Sequence, residues 1–468
     1  MTALSRREQA IAEQFAAGLT YREIGAMLCI APSTVRTHLS AIYRKLDVRT
    51  KVGLARQLAD FATPPVRPTG PSDHTVPVLA VLPFESHSDE PRWLRFADGL
   101  TTDVVIDLAR FSDLAVVGLH AMKALRGRTD GVDTAARDIG ADYVLDGQLR
   151  PEGNRLRLTV QLSDARTGLG LWSERYERPF DDFLKLQDTL AESIVNVLAG
   201  CSGKLVRLGC RASRRKAPAN PNAYDCYLLG MEQLCSLGRA SNAAALRLFT
   251  RAVELDPDLA RAWAKLGDAY AVEADSGYSD DMRQSIRNWE AAVARALALD
   301  PEDSFAHWCM GDAKAALGDM ASAAAEHDRA LELAPNFADT LALVGGSRAL
   351  VQGDPAEGER LIRRALELNP QAPPWYFGMS GRAHFVAGRY PDSIAALLRG
   401  PPDAPPTLLF LAMAYAECGN RRQSMTAAAR LRTEFPEFSV DGFVAGCPVT
   451  NPPAAAAIRR GSAKAGLA

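Results

Sequence analysis

The chain has 468 residues, of which 47% are hydrophobic and 24% charged, and its formal net charge is −2 at pH 7. This length predicts about three domains, because a single domain usually holds roughly 100 to 200 residues. Apolar runs stay well short of the ~18 residues of a membrane-spanning helix, so we expect no membrane anchor. Eight scattered cysteines without a C-x-x-C pair, and no signal-type apolar segment, favour a reducing compartment, the cytoplasm.

The first predicted elements are two short helices joined by a tight turn, between Thr20 and Val48. Thr20 and Glu23 form a capping box, which predicts a helix start. Pro32 suits the first position of a second helix, because its φ is fixed and its missing N–H is not needed there. Apolar side chains then recur at steps of three and four residues, as on one buried stripe: Val35, Leu39, Ile42 and Leu46. The pattern predicts a helix-turn-helix.

The opposite face of the second helix carries side chains suited to DNA. Arg36 can grip guanine O6 and N7 with two hydrogen bonds, while Thr37 and Ser40 are short enough to let the backbone approach base edges. Phosphate oxygens are the expected partners of six other residues: Ser33, Thr34, His38, Tyr43, Arg44 and Lys45. We therefore predict that this helix enters the major groove of double-stranded DNA.

Charge is distributed unevenly along the chain. Residues 1–60 contain nine Lys or Arg against five Asp or Glu, a net charge of +4, so the remainder carries −6. A basic segment on an otherwise acidic chain fits phosphate binding. The alternative is a small helical domain whose basic residues form only a solvated face.

Two more predicted helices flank the pair, one opened by the capping box of Ser5 and Glu8 and one running from about Thr50 to Ala59. The segment resembles the LuxR-type (GerE) helix-turn-helix domain through its motifs LSRRE, GLT-x-x-EI, PSTVRTH and IYRKL. This resemblance implies a four-helix DNA-binding domain over residues 1–61.

By the same resemblance, Arg36, Thr37 and Ser40 occupy base-reading positions, and the phosphate contacts include His38, Arg44 and Lys45. The fourth helix would form the contact of a homodimer on DNA. Two departures limit what carries over. Ala31 stands where the family usually has a Ser cap, and Ser40 stands where many relatives have a long basic side chain. The target DNA sequence therefore cannot be transferred.

A proline-rich stretch, residues 62–76, has the composition of an extended linker. Beyond it, buried-strand runs alternate with helical patterns over residues 77–200, which predicts an α/β domain. A turn at residues 151–154 precedes strictly alternating apolar and polar residues, the pattern of a β-hairpin. A third strand follows, and then a helix from about Asp182 to Leu198.

This central region resembles the TolB amino-terminal-like domain, which occurs in bacterial cyclases and transcription regulators ahead of helical repeats. The resemblance is carried by VLAVLPF, FADGLTTD, ADYVLDGQLR, LTVQLSDARTG and LWSERYER, and it implies a non-catalytic interaction or sensory module. Asp98, Asp103 and Asp107 follow one another at helical turns, which we interpret as an acidic edge rather than a metal cluster. Trp172 and Tyr176 are interpreted as core residues rather than a ligand platform.

The segment 201–221 opens with six basic residues and no acidic one through position 216. We interpret it as a solvated connector; a second phosphate-contacting patch is the alternative.

The last half of the chain is a repeat array. Four related segments, AVELDP, ALALDP, ALELAP and ALELNP, end in prolines at positions 257, 301, 335 and 370, so their spacings are 44, 34 and 35 residues. A period of about 34 residues is typical of tetratricopeptide repeats. We predict five or six repeats over residues 222–440, with the extra residues of the first step in a loop around Ser276 to Met282.

Such an array offers a concave surface to a protein or peptide partner. Trp289, Trp308 and Trp375 either line that surface or pack between helices. Residues 441–468 are predicted to form a flexible tail, since positions 454–468 have the composition of disordered chain.

No catalytic motif emerges from the sequence. Residues 200–204 read GCSGK, which lacks the spacing of a phosphate-binding loop, and neither G-x-S-x-G nor H-E-x-x-H occurs. We expect no catalytic residue, no cofactor and no metal site.

Taken together, the patterns predict a multidomain, mainly α protein: a four-helix LuxR-type helix-turn-helix, a central α/β domain and a carboxy-terminal α-solenoid of tetratricopeptide repeats. The predicted function is that of a one-component transcription regulator, whose input comes from the carboxy-terminal side because no receiver domain precedes the DNA-binding segment. The alternative is a tetratricopeptide interaction scaffold without specific DNA binding.

Overall fold

The computed structural model describes residues 24, 35, 42, 45, 76–111, 114–118, 140–153, 155–179, 183–200, 203–215, 221–236, 238–279, 281–446 and 451–467. The chain divides into two units, Met1–Asp73 with Asp138–Gly140 and His74–Arg137 with Ala141–Ala468. Within the described ranges, no helix is long and apolar enough to cross a membrane.

The second unit begins with a mixed sheet. Its strands are β1 (Val78–Val81), β2 (Glu85–Ser86), β3 (Ala115–Val116), β4 (Tyr143–Glu152), β5 (Arg155–Asp164) and β6 (Gly170–Pro179), in the order β3-β1-β4-β5-β6 with β2 paired to β4. Strand β1 runs parallel to β3 and β4, whereas β4, β5 and β6 form an antiparallel meander. The helices α1 (Pro91–Leu108) and α2 (Phe183–Leu198) contribute to the same core.

The predicted hairpin is confirmed. Gly153 has a φ of +60° at the turn between β4 and β5, a conformation that glycine adopts without steric cost. Every second residue of β5 is buried: Leu156, Leu158, Val160 and Leu162. Across from Leu158 and Leu162, β6 places Tyr176 and Trp172 on the same core face, so their predicted packing role is confirmed.

The predicted acidic edge of α1 includes a contact between helices. The Asp103 carboxylate accepts a 2.6 Å hydrogen bond from the side-chain amide of Gln187 on α2. Asp98 and Asp107 are partly exposed on the same helix. Asp103 therefore helps to hold the two helices together.

The basic connector is not a simple solvated segment. Residues Lys204–Arg215 form α3, whose Leu205 and Cys210 are buried. The Cys210 thiol donates to the carbonyl of Leu228 at 3.3 Å. The helix forms because its apolar side chains share one stripe that packs on the next helix, while Arg207 and Arg211 are exposed on the other side.

Six antiparallel helix pairs follow within the described residues. They are α4 (Ala223–Leu234) with α5 (Arg239–Leu255), α6 (Ala260–Asp275) with α7 (Met282–Leu299), α8 (Ser304–Ala316) with α9 (Met320–Leu333), α10 (Ala338–Leu350) with α11 (Pro355–Leu368), α12 (Pro374–Val386) with α13 (Tyr390–Leu397), and α14 (Pro405–Glu417) with α15 (Arg421–Glu434). The predicted insertion in the first repeat step is confirmed only in part. The loop between α6 and α7, residues 276–281, is three residues longer than the loop between α8 and α9, and the other seven extra residues lengthen α6 and α7 themselves. We call the first helix of each pair an A helix and the second a B helix.

The predicted flexible tail was wrong. Residues Val440–Gly446 form α16 and Pro452–Lys464 form α17. Ala454 and Ile458 are 0% exposed, and α17 begins with prolines, as helices often do, and ends before Gly466 at a φ of +70°. The composition of this segment suggested disorder because alanine and glycine bury little apolar area by themselves. They stabilise a helix here because a neighbouring surface lies close enough to cover these small side chains.

Candidate DNA interface and partner groove

Four described residues belong to the predicted helix-turn-helix. Ile24, Val35 and Ile42 are helical and 0% exposed, and Lys45 is helical and partly exposed. Val35 and Ile42 are the stripe positions that the sequence assigned to a small core, and their burial confirms that part of the prediction. The other predicted DNA contacts lie outside the described residues: Ser33, Thr34, Arg36, Thr37, His38, Ser40, Tyr43 and Arg44.

The repeat array has an inner side formed by its A helices. From α4 to α14, each A helix contacts the next A helix, whereas successive B helices do not pack on each other to a comparable extent. Because the A helices are spaced more closely than the B helices, the stack of pairs is curved, and the A helices lie on its concave side. The groove that they line is therefore the candidate partner surface of the array.

The three tryptophans predicted either to line this surface or to pack between helices divide by burial. Trp289 is 1% exposed, and its indole N–H donates to the thiol sulfur of Cys309 at 3.0 Å. Trp308 is buried, and its indole donates to the Ser347 hydroxyl at 3.0 Å. Trp375 is partly exposed. Trp289 and Trp308 therefore pack between helices.

Polar side chains connect successive helices inside the array. The Asp312 carboxylate on α8 accepts hydrogen bonds from the Ser347 hydroxyl at 2.8 Å and from Nε2 of the fully buried His327 at 3.0 Å. Near the other end of the inner side, the ammonium of Lys265 lies 3.5 Å from the ring centre of Phe305. The contacts of Asp312 with Ser347 and of Lys265 with Phe305 join neighbouring A helices, and the contact of Asp312 with His327 joins α8 to its own B helix, α9.

Asp275 lies at the carboxy-terminal end of the A helix α6, and its carboxyl group has a strongly raised pKa. Its Oδ1 is sealed from solvent and has no hydrogen-bond partner. Burial raises the pKa of the Asp275 carboxyl well above the usual 3.8; the Asp312 carboxylate adds to the rise and Arg382 opposes it. Folding therefore increases the affinity of this side chain for its proton.

Asp275→Asn should raise the free energy of unfolding at pH 7 by about 1 to 3 kcal/mol, because the amide is neutral in the unfolded chain too, whereas the carboxyl must either take up a proton or bury a charge on folding. The folded state binds this proton more tightly than the unfolded chain does, so wild-type stability increases relative to the variant as the pH falls. The advantage of the variant should shrink below pH 7 and vanish near the unfolded-state pKa of 3.8. Urea unfolding at several pH values measures this.

Asp258→Asn is the matched control, since the Asp258 side chain is 84% exposed. It should change stability little at any of these pH values. An Asp275→Asn variant that is less stable than the wild type at pH 7 would show that Arg382 outweighs the cost of burial.

The α/β domain is joined to the fourth helix pair. The Asn196 side chain of α2 accepts from the backbone N–H of Ala338 at 2.7 Å and donates to the carbonyl of Asn336 at 3.2 Å. Beside it, Phe111 and Phe337 meet edge to face at 4.8 Å between ring centroids. A change in the array is thus placed to reach the sheet domain through direct contacts.

Comparison with known proteins matches three separate parts of the chain. Residues 2–58 match "Bacterial regulatory proteins, luxR family", residues 74–193 match "HilA/YgeH-like transcriptional regulator, second domain", and residues 343–406 match "Tetratricopeptide repeat". The chain combines a LuxR-type domain, a HilA-like regulator domain and tetratricopeptide repeats. The predicted combination of domains is confirmed, with the central part matched to HilA/YgeH-like regulators.

Two curated proteins and one solved structure illustrate the range of similarity. The chain is 36% identical over 205 residues to "Putative adenylate cyclase 3" of Rhizobium meliloti (strain 1021), covering 43% of this chain and 33% of that protein. It is 23% identical over 310 residues to the transcriptional regulator HilA of Salmonella typhimurium, covering 64% of this chain and 52% of HilA. A thermophilic tetratricopeptide protein of Thermus thermophilus is 18% identical, covering 46% of this chain and 99% of that one, with a TM-score of 0.32.

The chain thus spans between a third and about half of the length of these curated relatives. The LuxR-type and HilA-like matches, together with the repeats, support a DNA-binding transcription regulator with a repeat domain.

Proposed function

We propose that this protein is a one-component transcription regulator, which binds double-stranded DNA through residues 1–61 and receives a protein or peptide partner on the repeat array of residues 222–440. The observation that carries the proposal is the luxR-family match over residues 2–58. The net charge of +4 on residues 1–60 supports it, because DNA binding draws on phosphate neutralisation.

The residues that we propose to contact DNA bases follow from helix geometry. An α-helix turns by about 100° per residue, so Val35 and Ile42 share one face, and in a continuous helix Thr37, Ser40 and Arg44 would lie on the opposite one. We assign base edges to Arg36, Thr37 and Ser40, and phosphates to Ser33, Thr34, His38, Tyr43, Arg44 and Lys45. Lys45 is partly exposed, as a phosphate contact at the flank of the buried stripe requires.

Arg36→Ala should abolish or relax sequence-specific DNA binding. A bidentate arginine contact to guanine contributes about 1 to 3 kcal/mol of discrimination, which is roughly a 5- to 150-fold change in affinity for the preferred site. Selection of genomic fragments by purified wild type and variant near physiological salt measures the change. Arg421→Ala, on an exposed position of α15, removes a charge outside the DNA-binding segment and should leave the selected motif unchanged.

Salt dependence provides an independent readout. Log affinity should fall linearly with log salt, with a slope of about −0.9 for each phosphate neutralised. Absence of any enriched fragment together with a flat salt response would contradict DNA binding and favour an interaction scaffold.

The proposal includes a homodimer on DNA, formed through the predicted fourth helix at about Thr50–Ala59. It assigns residues 62–76 to a linker and treats residues 77–200 and 222–440 as the input. The hydrogen bonds of Asn196 to the start of α10 support a joint response of these two regions. Sedimentation with and without a selected DNA fragment tests the dimer.

We also propose that the protein acts without a catalytic step or cofactor and works in the cytoplasm, where bacterial DNA is found. The similarity to "Putative adenylate cyclase 3" covers 33% of that protein, which makes adenylate cyclase activity the reaction to measure. Activity of the purified chain above a blank would overturn this part of the proposal and leave DNA binding untouched.

A further inference from the structure

The carboxy-terminal helix α17 lies on the A helices of the last two pairs. A Cβ atom added at Gly461 would stand 2.9 Å from Cζ of Phe385 on α12 and 3.1 Å from Cβ of Met413 on α14. The Lys464 ammonium pairs with Glu417, at the end of α14, at 2.7 Å. Helix α17 therefore occupies the inner side of the array, between two A helices.

The segment leading into α17 reaches back across the array to its first pairs. Helix α16 packs against α6. Just before it, the Glu437 carboxylate lies 3.4 Å from the guanidinium of Arg239, which also donates to the carbonyl of Tyr278 at 3.1 Å. Arg239 begins α5 and Tyr278 lies in the loop after α6, so the carboxy-terminal segment connects the last pair to the first two.

The A helices are correspondingly covered. In α14, every residue from Pro405 to Ala414 is buried, and in α10 only Arg348 is not. A helix that is buried all round has neighbours on every side, whereas the inner helix of an open array presents one wet face. The carboxy-terminal segment supplies part of that covering over α14.

The contact stripe of α17 consists mostly of small residues. Its buried positions are Ala454, Ala455, Ile458, Gly461 and Ser462, of which only isoleucine is a large apolar side chain. Burial stabilises roughly in proportion to the apolar area removed from water, so this stripe holds its groove less firmly than a leucine-rich helix would. The outward face carries the exposed Arg459 and Arg460.

We propose that α17 is an internal occupant of the groove between α12 and α14, and that the array binds its partner by displacing α17. The partner is an amphipathic helix that keeps a small residue at the position of Gly461 and has larger apolar side chains at the other positions of the stripe. The groove seats a helix already, which defines the kind of partner that fits it. This inference rests on the proposed partner binding by the repeat array and is independent of the proposed DNA binding.

The test uses the full chain and a fluorescein-labelled synthetic peptide of residues 450–468 as the probe. Gly461→Leu cannot be seated between Phe385 and Met413, so α17 should leave the groove and the peptide should bind at least tenfold more tightly than to the wild type. Ala463→Leu introduces the same side chain on the exposed face of α17 and should bind the peptide as weakly as the wild type does. Equal binding to all three proteins would overturn the proposal.

A second measurement covers the case in which Gly461→Leu fails to fold. In hydrogen exchange on the wild type, backbone amides of α17 should exchange at least tenfold faster than those of α14, because displacement of α17 opens them without unfolding the array. Exchange of both helices at one common rate would show that α17 is an inseparable part of the array and would overturn the proposal.

Discussion

Gly358→Leu should lower the free energy of unfolding of the repeat array by about 3 kcal/mol or more, at the upper end of the usual cost of overpacking. A Cβ atom at this position would stand 2.5 Å from the carbonyl oxygen of Gly345 and 3.0 Å from Cβ of Ala349. Both neighbours belong to the paired helix α10, and a backbone carbonyl cannot rotate away as a side chain can. Helices α10 and α11 would have to separate. Urea unfolding followed by circular dichroism measures the loss.

Ala356→Leu is the matched control, because it introduces the same side chain two residues earlier on the exposed face of α11. Leucine is a good helix former, so this variant should change stability by less than about 0.5 kcal/mol. Gly358→Ala should fall between the two, since alanine favours the helix but still meets the Gly345 carbonyl. A Gly358→Leu protein as stable as the Ala356→Leu control would contradict the close approach of the two helices.

The periodicity of the sequence indicates where glycines occur at close contacts between helices. It does not indicate which atoms they contact. Gly267, Gly311 and Gly345 follow one another at steps of 44 and 34 residues, the spacing of the first two repeat steps. Gly358 on the B helix occupies a small-residue position that also recurs: like Ala245 and Ala323, it stands 12 residues before the proline that ends its repeat segment. Its role depends on the angle at which α11 crosses α10, which is set by all the side chains between them and cannot be read from spacing.

The same limit explains the two segments that the sequence misjudged. Helix α3 and helix α17 both looked like solvated chain, one for its basic residues and one for its alanine and glycine content. Each is ordered by a partner distant in sequence: Leu228 beside α3, and Phe385 and Met413 beside α17. By contrast, β5 was predictable because its alternation of Leu and Val with polar residues encodes its own two faces.

For the DNA interface, the sequence predicts which side chains contact DNA. The structure tests only the buried residues that hold the recognition helix in place. Val35 and Ile42 are buried as a recognition helix requires. Arg36, Thr37 and Ser40 stay predictions, since their assignment depends on which face meets DNA and on what DNA sequence is presented. That information resides in the complex rather than in the chain.

Trp289→Ala should lower the free energy of unfolding by about 3 to 5 kcal/mol, as expected when a large buried aromatic is truncated. The sequence left open whether Trp289 lines the partner surface or packs between helices, and these roles predict different outcomes. A packing residue costs stability whether or not a partner is present. Trp289 is 1% exposed and donates to the sulfur of Cys309, whose own side chain is 0% exposed, so the loss should appear in thermal and urea unfolding of the protein alone.

Trp289→Phe separates the ring from its hydrogen bond. It keeps most of the buried area and removes the indole N–H, so it should cost only about 0.5 to 1.5 kcal/mol. Trp375→Ala is the comparison on a partly exposed tryptophan of α12 and should destabilise less than Trp289→Ala. The opposite result would be a Trp289→Ala protein that is as stable as the wild type but, when combined with Gly461→Leu, no longer binds the peptide of residues 450–468. The indole would then belong to the partner surface. The inner side of the array would then extend to the B helices, which the packing of Trp289 argues against.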